Sequence, residues 1–256
     1  MPSLHRFMCL TCGVAASSAY GQFVTPDAYG WQRGVSPLST FAEWEFFSSP
    51  VGPNAPGTDI VVGTLPQDAP AFNAFDANPL SGSFITSGGN IYSFSGVVSP
   101  ETTSPGFDLG YGFRTNVLFQ VQTLGVTPNN DSFVLNGRRE PAEVVILDIG
   151  DNGGPFGGLT ATTLVRFEFA RNDLEHTVFF EASSTSLSFD RVLVDTFTEA
   201  MDCAVDLDLS GEVDFFDTIE FLKDVDAVDG DWNGDGATTS SDTQDFVAAA
   251  DAGCDP

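Results

Sequence analysis

Hydrophobic and polar positions alternate with a period of two along much of residues 22–200, which predicts strands. In 113–122, Phe113, Thr115, Val117, Phe119 and Val121 face one way. Arg114, Asn116, Gln120 and Gln122 face the other, with Leu118 the exception. In 165–169, Val165, Phe167 and Phe169 alternate with Arg166 and Glu168. Residues 144–149, but for Asp148, are apolar on both faces, the pattern of a central strand. Further strands are expected at 40–48, 83–86, 90–98, 131–136, 174–182 and 186–197. Clusters of Gly, Pro, Asn and Asp separate them, including Pro128–Asp131 and the glycine-rich run Gly150–Gly158. No stretch before residue 200 carries a helical stripe. Eight to ten strands in about 180 residues predict a mainly β chain built as a jelly-roll-like β-sandwich.

The pattern changes at residue 201. Residues 201–256 hold 16 acidic side chains and one basic one, Lys223, and contain no β-rich run. Instead a twelve-residue segment occurs twice, starting 25 residues apart: Asp206–Asp217 and Asp231–Asp242. Aligned to a twelve-residue calcium loop, both copies carry oxygen-bearing side chains at positions 1, 3, 5, 9 and 12. Both have glycine at position 6, Gly211 and Gly236, where the chain turns with positive φ. Position 7 offers a backbone carbonyl, and Val213 and Thr238 at position 8 suit pairing of the two loops. A hard divalent cation takes about six to eight oxygens, which each loop can supply. An amphipathic helix is expected after each loop, on Phe216, Ile219, Glu220, Phe221 and Leu222, and on Gln244, Asp245, Phe246, Val247 and Ala250. None is expected before the first loop, because 195–205 has no helical stripe.

This loop-plus-helix unit, duplicated over 202–255, resembles the type I dockerin module of secreted polysaccharide-degrading systems. It is also similar to the C-terminal calcium repeats of exported planctomycete proteins. The resemblance implies a small α-helical calcium-binding module with two calcium ions. The implied ligands of the first are Asp206, Asp208, Ser210, the Glu212 carbonyl, Asp214 and Asp217. Those of the second are Asp231, Asn233, Asp235, the Ala237 carbonyl, Thr239 and Asp242. It also implies a cohesin-like or cell-surface partner. Positions 10 and 11, which dockerins use to meet cohesins, are Phe215-Phe216 in one copy and Ser240-Ser241 in the other. Two equivalent docking faces are therefore not expected.

Charge and cysteine usage narrow the setting. The 256 residues carry 36 acidic and 9 basic side chains, a net charge of −27, which argues against nucleic-acid binding and against anionic membrane surfaces. With 42% hydrophobic residues, the chain can still fill a core. Residues 1–21 read as an export signal: His5 and Arg6, an apolar run from Phe7 to Ala16, then small residues that place cleavage after Ala19 or Gly21. The run is too short to span a membrane, and Thr11 makes Cys12 a poor lipidation site. The expected organisation is signal peptide 1–21, β-sandwich 22–200 and dockerin-like module 201–256, in a secreted or cell-surface protein. Once Cys9 and Cys12 leave with the signal, Cys203 and Cys254 remain, an even pair bracketing the module. In an oxidising compartment they are expected to form a disulfide.

The sandwich sequence is chemically quiet, and no catalytic residue set can be drawn from it. His176, beside Leu174, Val178 and Phe180, is expected in the core. Glu43 and Glu45 would share a strand face about 7 Å apart, with Trp44 and Phe46 inward. That pair and the dockerin-like tail are the only support for the alternative, a polysaccharide-active enzyme carried by a dockerin. Asp148 and Asp151 suit a structural calcium. Tyr29, Trp31 and Tyr111 are candidates for an exposed glycan platform that would admit a polysaccharide ligand, with burial the more common fate of such rings. A free calcium buffer is the remaining alternative. Residues 40–110 loosely resemble secreted bacterial β-sandwich proteins of unknown function.

Overall fold

A computed structural model describes residues 23–69, 74–77, 83–94, 99–151 and 158–254. The expected export signal, Cys9, Cys12, residues 95–98 of one expected strand and most of the glycine-rich run lie outside them. The described chain forms twelve strands and two helices. The strands are β1 (Ser39–Trp44), β2 (Thr58–Val62), β3 (Ala74–Asp76), β4 (Ser83–Ile85), β5 (Ile91–Ser93) and β6 (Glu101–Pro105). β7 (Phe113–Gly125), β8 (Val134–Leu135), β9 (Glu143–Asp151), β10 (Leu159–Phe169), β11 (Glu175–Phe179) and β12 (Ser188–Ala200) follow. The helices are α1 (Phe215–Asp226) and α2 (Ser240–Ala252). Among the described residues no helix is long and apolar enough to cross a membrane.

The strands make two antiparallel sheets, as expected of a β-sandwich. The larger runs β2-β1-β12-β7-β10-β9, with the β4–β5 hairpin attached to β12; the smaller runs β3-β6-β11-β8. Pairing is nested: β1 with β12, β6 with β11, and β7 with β10. A long hairpin folded over on itself produces this order. The core lies between the sheets. Val117, Phe119 and Val121 of β7 and Val165 and Phe167 of β10 meet Leu135, Val178 and Phe180 from the other side. Phe119 packs on Phe180 at 5.6 Å, and Phe75 meets Phe189 edge-on at 5.2 Å. The inward rings come from one register of each strand, as the alternation requires.

Three expectations are corrected here. Residues 144–149 belong to β9, which closes the large sheet as an edge strand, and Ile146 and Ile149 are exposed. A run that is apolar but for Asp148 does not by itself distinguish a buried strand from an edge. Leu118 is no exception to the pattern, because the outer face of the large sheet is itself covered. Residues 23–36 cross it: Trp31 is buried against Leu118 and Leu164 and stacks on Phe197 at 5.4 Å. Val24 exchanges two hydrogen bonds with the buried Gln120 amide. Arg33 binds Asp195 through two bonds of 2.7 and 2.6 Å, which satisfy a carboxylate that is 1% exposed. Burial raises the pKa of Asp195, and Arg33 opposes that rise. Finally, Trp44 is in the core but Phe46 is 72% exposed, because β1 ends at Trp44 and the alternation ends with it.

His176 is buried, as expected, edge-on to Phe169 at 5.8 Å. Its Nδ1 has no hydrogen-bond partner, and burial lowers its pKa from 6.5 to about 4, with Asp173 opposing and Arg139 adding to the shift. Below its ordinary value the unfolded chain takes up a proton that the folded chain refuses. This group's contribution is thus present above pH 6.5 and is lost as the pH falls toward 4. The full loss is about 3 kcal/mol. Urea midpoints measured at about pH 7 and about pH 4.5 check this: His176→Asn is expected to flatten the dependence.

Candidate calcium-loop module

After β12 the chain leaves the sheet and builds a second, small core. Phe221 of α1 and Phe246 of α2 stack at 4.3 Å, and Trp232 meets both edge-on, at 6.0 and 5.1 Å. Each helix follows its loop, as expected, and begins with a capping box: Asp214 with Asp217, and Thr239 with Asp242. The buried stripe is narrower than expected. Phe216, Leu222 and Val247 are exposed, since a two-helix module offers only one inner face per helix. Cys203 and Cys254 are paired, with Cα atoms 5.3 Å apart and a sequence separation of 51.

The two loops are wired alike. At position 12, Asp217 Oδ1 accepts from the N–H groups of Leu207 (2.7 Å) and Asp208 (3.2 Å), and Oδ2 from Asp214 (2.7 Å). Asp242 accepts from Trp232 (2.9 Å), Asn233 (3.2 Å) and Thr239 (2.7 Å). At position 1, Asp206 and Asp231 accept from the N–H of the position-6 glycine. The position-5 N–H donates to position 3 in both copies, and the position-7 N–H to position 5. Gly211 and Gly236 have φ of 86° and 87°, and a Cβ at either would meet open space, so the backbone angle rather than crowding calls for glycine. Position 4 is left-handed too, at Leu209 (φ 60°) and Gly234 (φ 73°), a feature the sequence comparison missed. The loops do not pair with each other: neither Val213 nor Thr238 sits in a β-bridge.

Among the described residues, ligand oxygens of Asp206, Asp208 and Asp217 lie within 4.8 Å of one another. Asp206 Oδ1 is buried without a hydrogen-bond partner. Burial raises its pKa; the Gly211 N–H opposes this, and Asp217 and Asp208 add to the rise. The Ser210 hydroxyl donates to the Glu212 carbonyl, which brings positions 5 and 7 together. Asp214 is drawn off to cap α1 through the Phe216 N–H. In the second loop the N–H groups of Thr239, Asn233 and Trp232 lower the pKa of Asp242. Convergent carboxylates with one orphaned oxygen fit a hard cation. Calcium, when bound, would neutralise these carboxylates and tie the loop's ends together.

The module does not hang free. Tyr111, from the loop before β7, packs on Trp232 at 4.9 Å and donates to Asp224 of α1 at 2.9 Å. Its phenol pKa is raised by burial and by Asp224. Arg138 bridges Asp224 and Asp229, and Arg171 bridges Asp173 and Asp229, both at 2.6 Å. Tyr111 is therefore occupied and Trp31 buried, so neither supplies the expected glycan platform. Tyr29 is half-buried and bonds Glu143. Glu43 and Glu45 both pair with Arg191. Asp148 and Asp151 are exposed on β9 and join no cluster of three metal-binding groups among the described residues.

Arg171→Ala would leave Asp173 and Asp229 facing each other across the module boundary. We expect a loss of about 2–3 kcal/mol and faster hydrogen exchange through 224–233. Unchanged exchange there would show that the arginine does not hold the module.

No protein-family model, no curated protein and no solved structure matches the chain.

Proposed function

We propose that this is an exported calcium-binding protein. In it a dockerin-like module with two calcium ions attaches a jelly-roll-type β-sandwich to a partner, a matrix or the cell surface. The observation that carries this reading is the matched wiring of the two loops, 25 residues apart, with a buried carboxylate oxygen left unpartnered in the first. The nested pairing of β1–β12, β6–β11 and β7–β10 supports the jelly-roll assignment. The partner class is a cohesin-like or cell-surface protein, met through the module's solvent side. There Phe215 and Phe216 are exposed at the start of α1. The sandwich is the cargo, a binding or structural domain.

The module's carboxylates repel one another when unneutralised, and its core of few side chains cannot offset that alone. Chelation is therefore the test. On adding EDTA to the full chain, the helical circular-dichroism signal should fall while the strand signal persists, and calcium should restore it. A helical signal indifferent to EDTA would refute the reading.

A further inference from the structure

Resting on the reading of the sandwich as a binding domain, we propose that it carries an uncharged-glycan site at the mouth of a cleft beside the exposed ring of Phe46. The cleft is an open groove of about 300 Å³ and lies where the end of β1, the β4–β5 turn and β12 meet. That is the lower end of the range for small-ligand sites. Phe46 forms one side, and the rest is polar: the carboxylates of Glu45 and Asp190, the amides of Asn90 and Gln122, and the guanidinium of Arg191.

Three observations point to a sugar. First, Phe46 is displayed rather than merely left out. Its neighbour Phe47 is buried and donates its N–H to Gly89 O at 2.9 Å, which fixes the strand end on the turn. The Phe46 ring lies against Gly89, where a Cβ would come within 2.7 Å of its Cδ1. The turn thus makes room for a ring that still presents 72% of its surface to solvent. Second, the polar groups are braced. Asn90 donates to Asp190 at 2.7 Å, and Arg191 is held by Glu43 and, at 3.2 Å, by Glu45. A flat apolar ring beside fixed donors and acceptors matches a pyranose, whose C–H face is apolar and whose rim of hydroxyls both donates and accepts. Third, the turn carries further aromatic surface on its hairpin. Phe84, Tyr92 and Phe94 cluster at 4.6–5.8 Å, with Phe84 and Phe94 exposed, which suits a chain longer than one sugar.

Charge decides the class of glycan. The one cation in the cleft is already paired, and the chain carries −27, so a polyanionic polysaccharide is repelled. An uncharged hexose or pentose polymer is the ligand class that remains.

The test is titration of the full chain, in calcium, with cello-, xylo-, manno- and laminari-hexaoses, read by calorimetry and by affinity electrophoresis on the parent polymers. At least one should bind saturably. Phe46→Ala should weaken it at least about tenfold without changing the melting temperature, because the ring is exposed. Phe46→Trp should retain or strengthen it. Asp190→Ala should weaken it, while Val247→Ala, at an exposed position of α2, should leave it unchanged. Failure of all four oligosaccharides to bind, or binding indifferent to Phe46→Ala, overturns the proposal. The EDTA experiment is separate. Loss of calcium dependence with Phe46-dependent binding intact would sink the module reading and spare this one.

Discussion

Asp217→Ala is expected to destabilise the module and to abolish cation binding at the first loop; Asp242→Ala should do the same at the second. These residues close their loops from position 12, and each is fully buried. Each gathers three backbone N–H groups, two from the loop's start and one from the N-cap residue of the helix that follows. Hydrogen bonds to a charged acceptor contribute roughly 1.5–3 kcal/mol each. Even with strong non-additivity the alanine variant should cost at least about 4 kcal/mol. The capping box is lost in the same stroke. Asn at either position keeps an acceptor oxygen but not the charge. It should therefore preserve more helix than alanine while still weakening the cation site. Denaturation followed at 222 nm separates the cases: in the alanine variants the helical transition should precede that of the strands. A single shared midpoint with wild-type stability would mean that the loops do not depend on these carboxylates.

Reducing the Cys203–Cys254 bond should cost about 4 kcal/mol in the chain-entropy account, since it opens a closed span of 51 residues. The module has little to spare. Its core is five buried residues, Ala170, Val205, Leu207, Phe221 and Phe246, and the first of these is borrowed from the sandwich. Reduction and chelation should therefore act together. Either alone should lower the helical transition, and both should leave the module unfolded on a folded sandwich. Cys203→Ser with Cys254→Ser tests the same point without reductant. A double variant as resistant to denaturant as the parent would show that the salt bridges of Arg138 and Arg171 hold the module by themselves.

Much of this was legible in the sequence, for a definite reason. Long strands with one buried face announce themselves by alternation, so β7, β10 and β12 were found, although each runs beyond its expected limits. The short strands β2, β3 and β6 were not, because polar residues break their apolar pattern: Thr58 and Asp59 open β2, Asp76 closes β3, and β6 is Glu-Thr-Thr-Ser-Pro. Whether an apolar strand is central or an edge depends on its neighbours, and β9 shows how that fails. Exposure of aromatics was no easier to read. Trp31 sits among glycines and polar residues yet is covered, because 23–36 folds over Leu118, Leu164 and Phe197. Phe46 sits in an apolar run yet is exposed. The loops were legible because their spacing is set by local geometry: glycine at position 6 and acceptors at 1, 3 and 12 act within twelve residues. The salt bridges that dock the module on the sandwich link residues 58 to 91 positions apart, and no local pattern foretells them.

The central claim is that two calcium loops organise the C-terminal module. Calorimetric titration of the chelator-treated full chain with calcium tests it most directly. The account predicts uptake of two equivalents, reduced to one by Asp217→Ala or Asp242→Ala and to none by both. No saturable uptake, or two equivalents retained in the double variant, would contradict it.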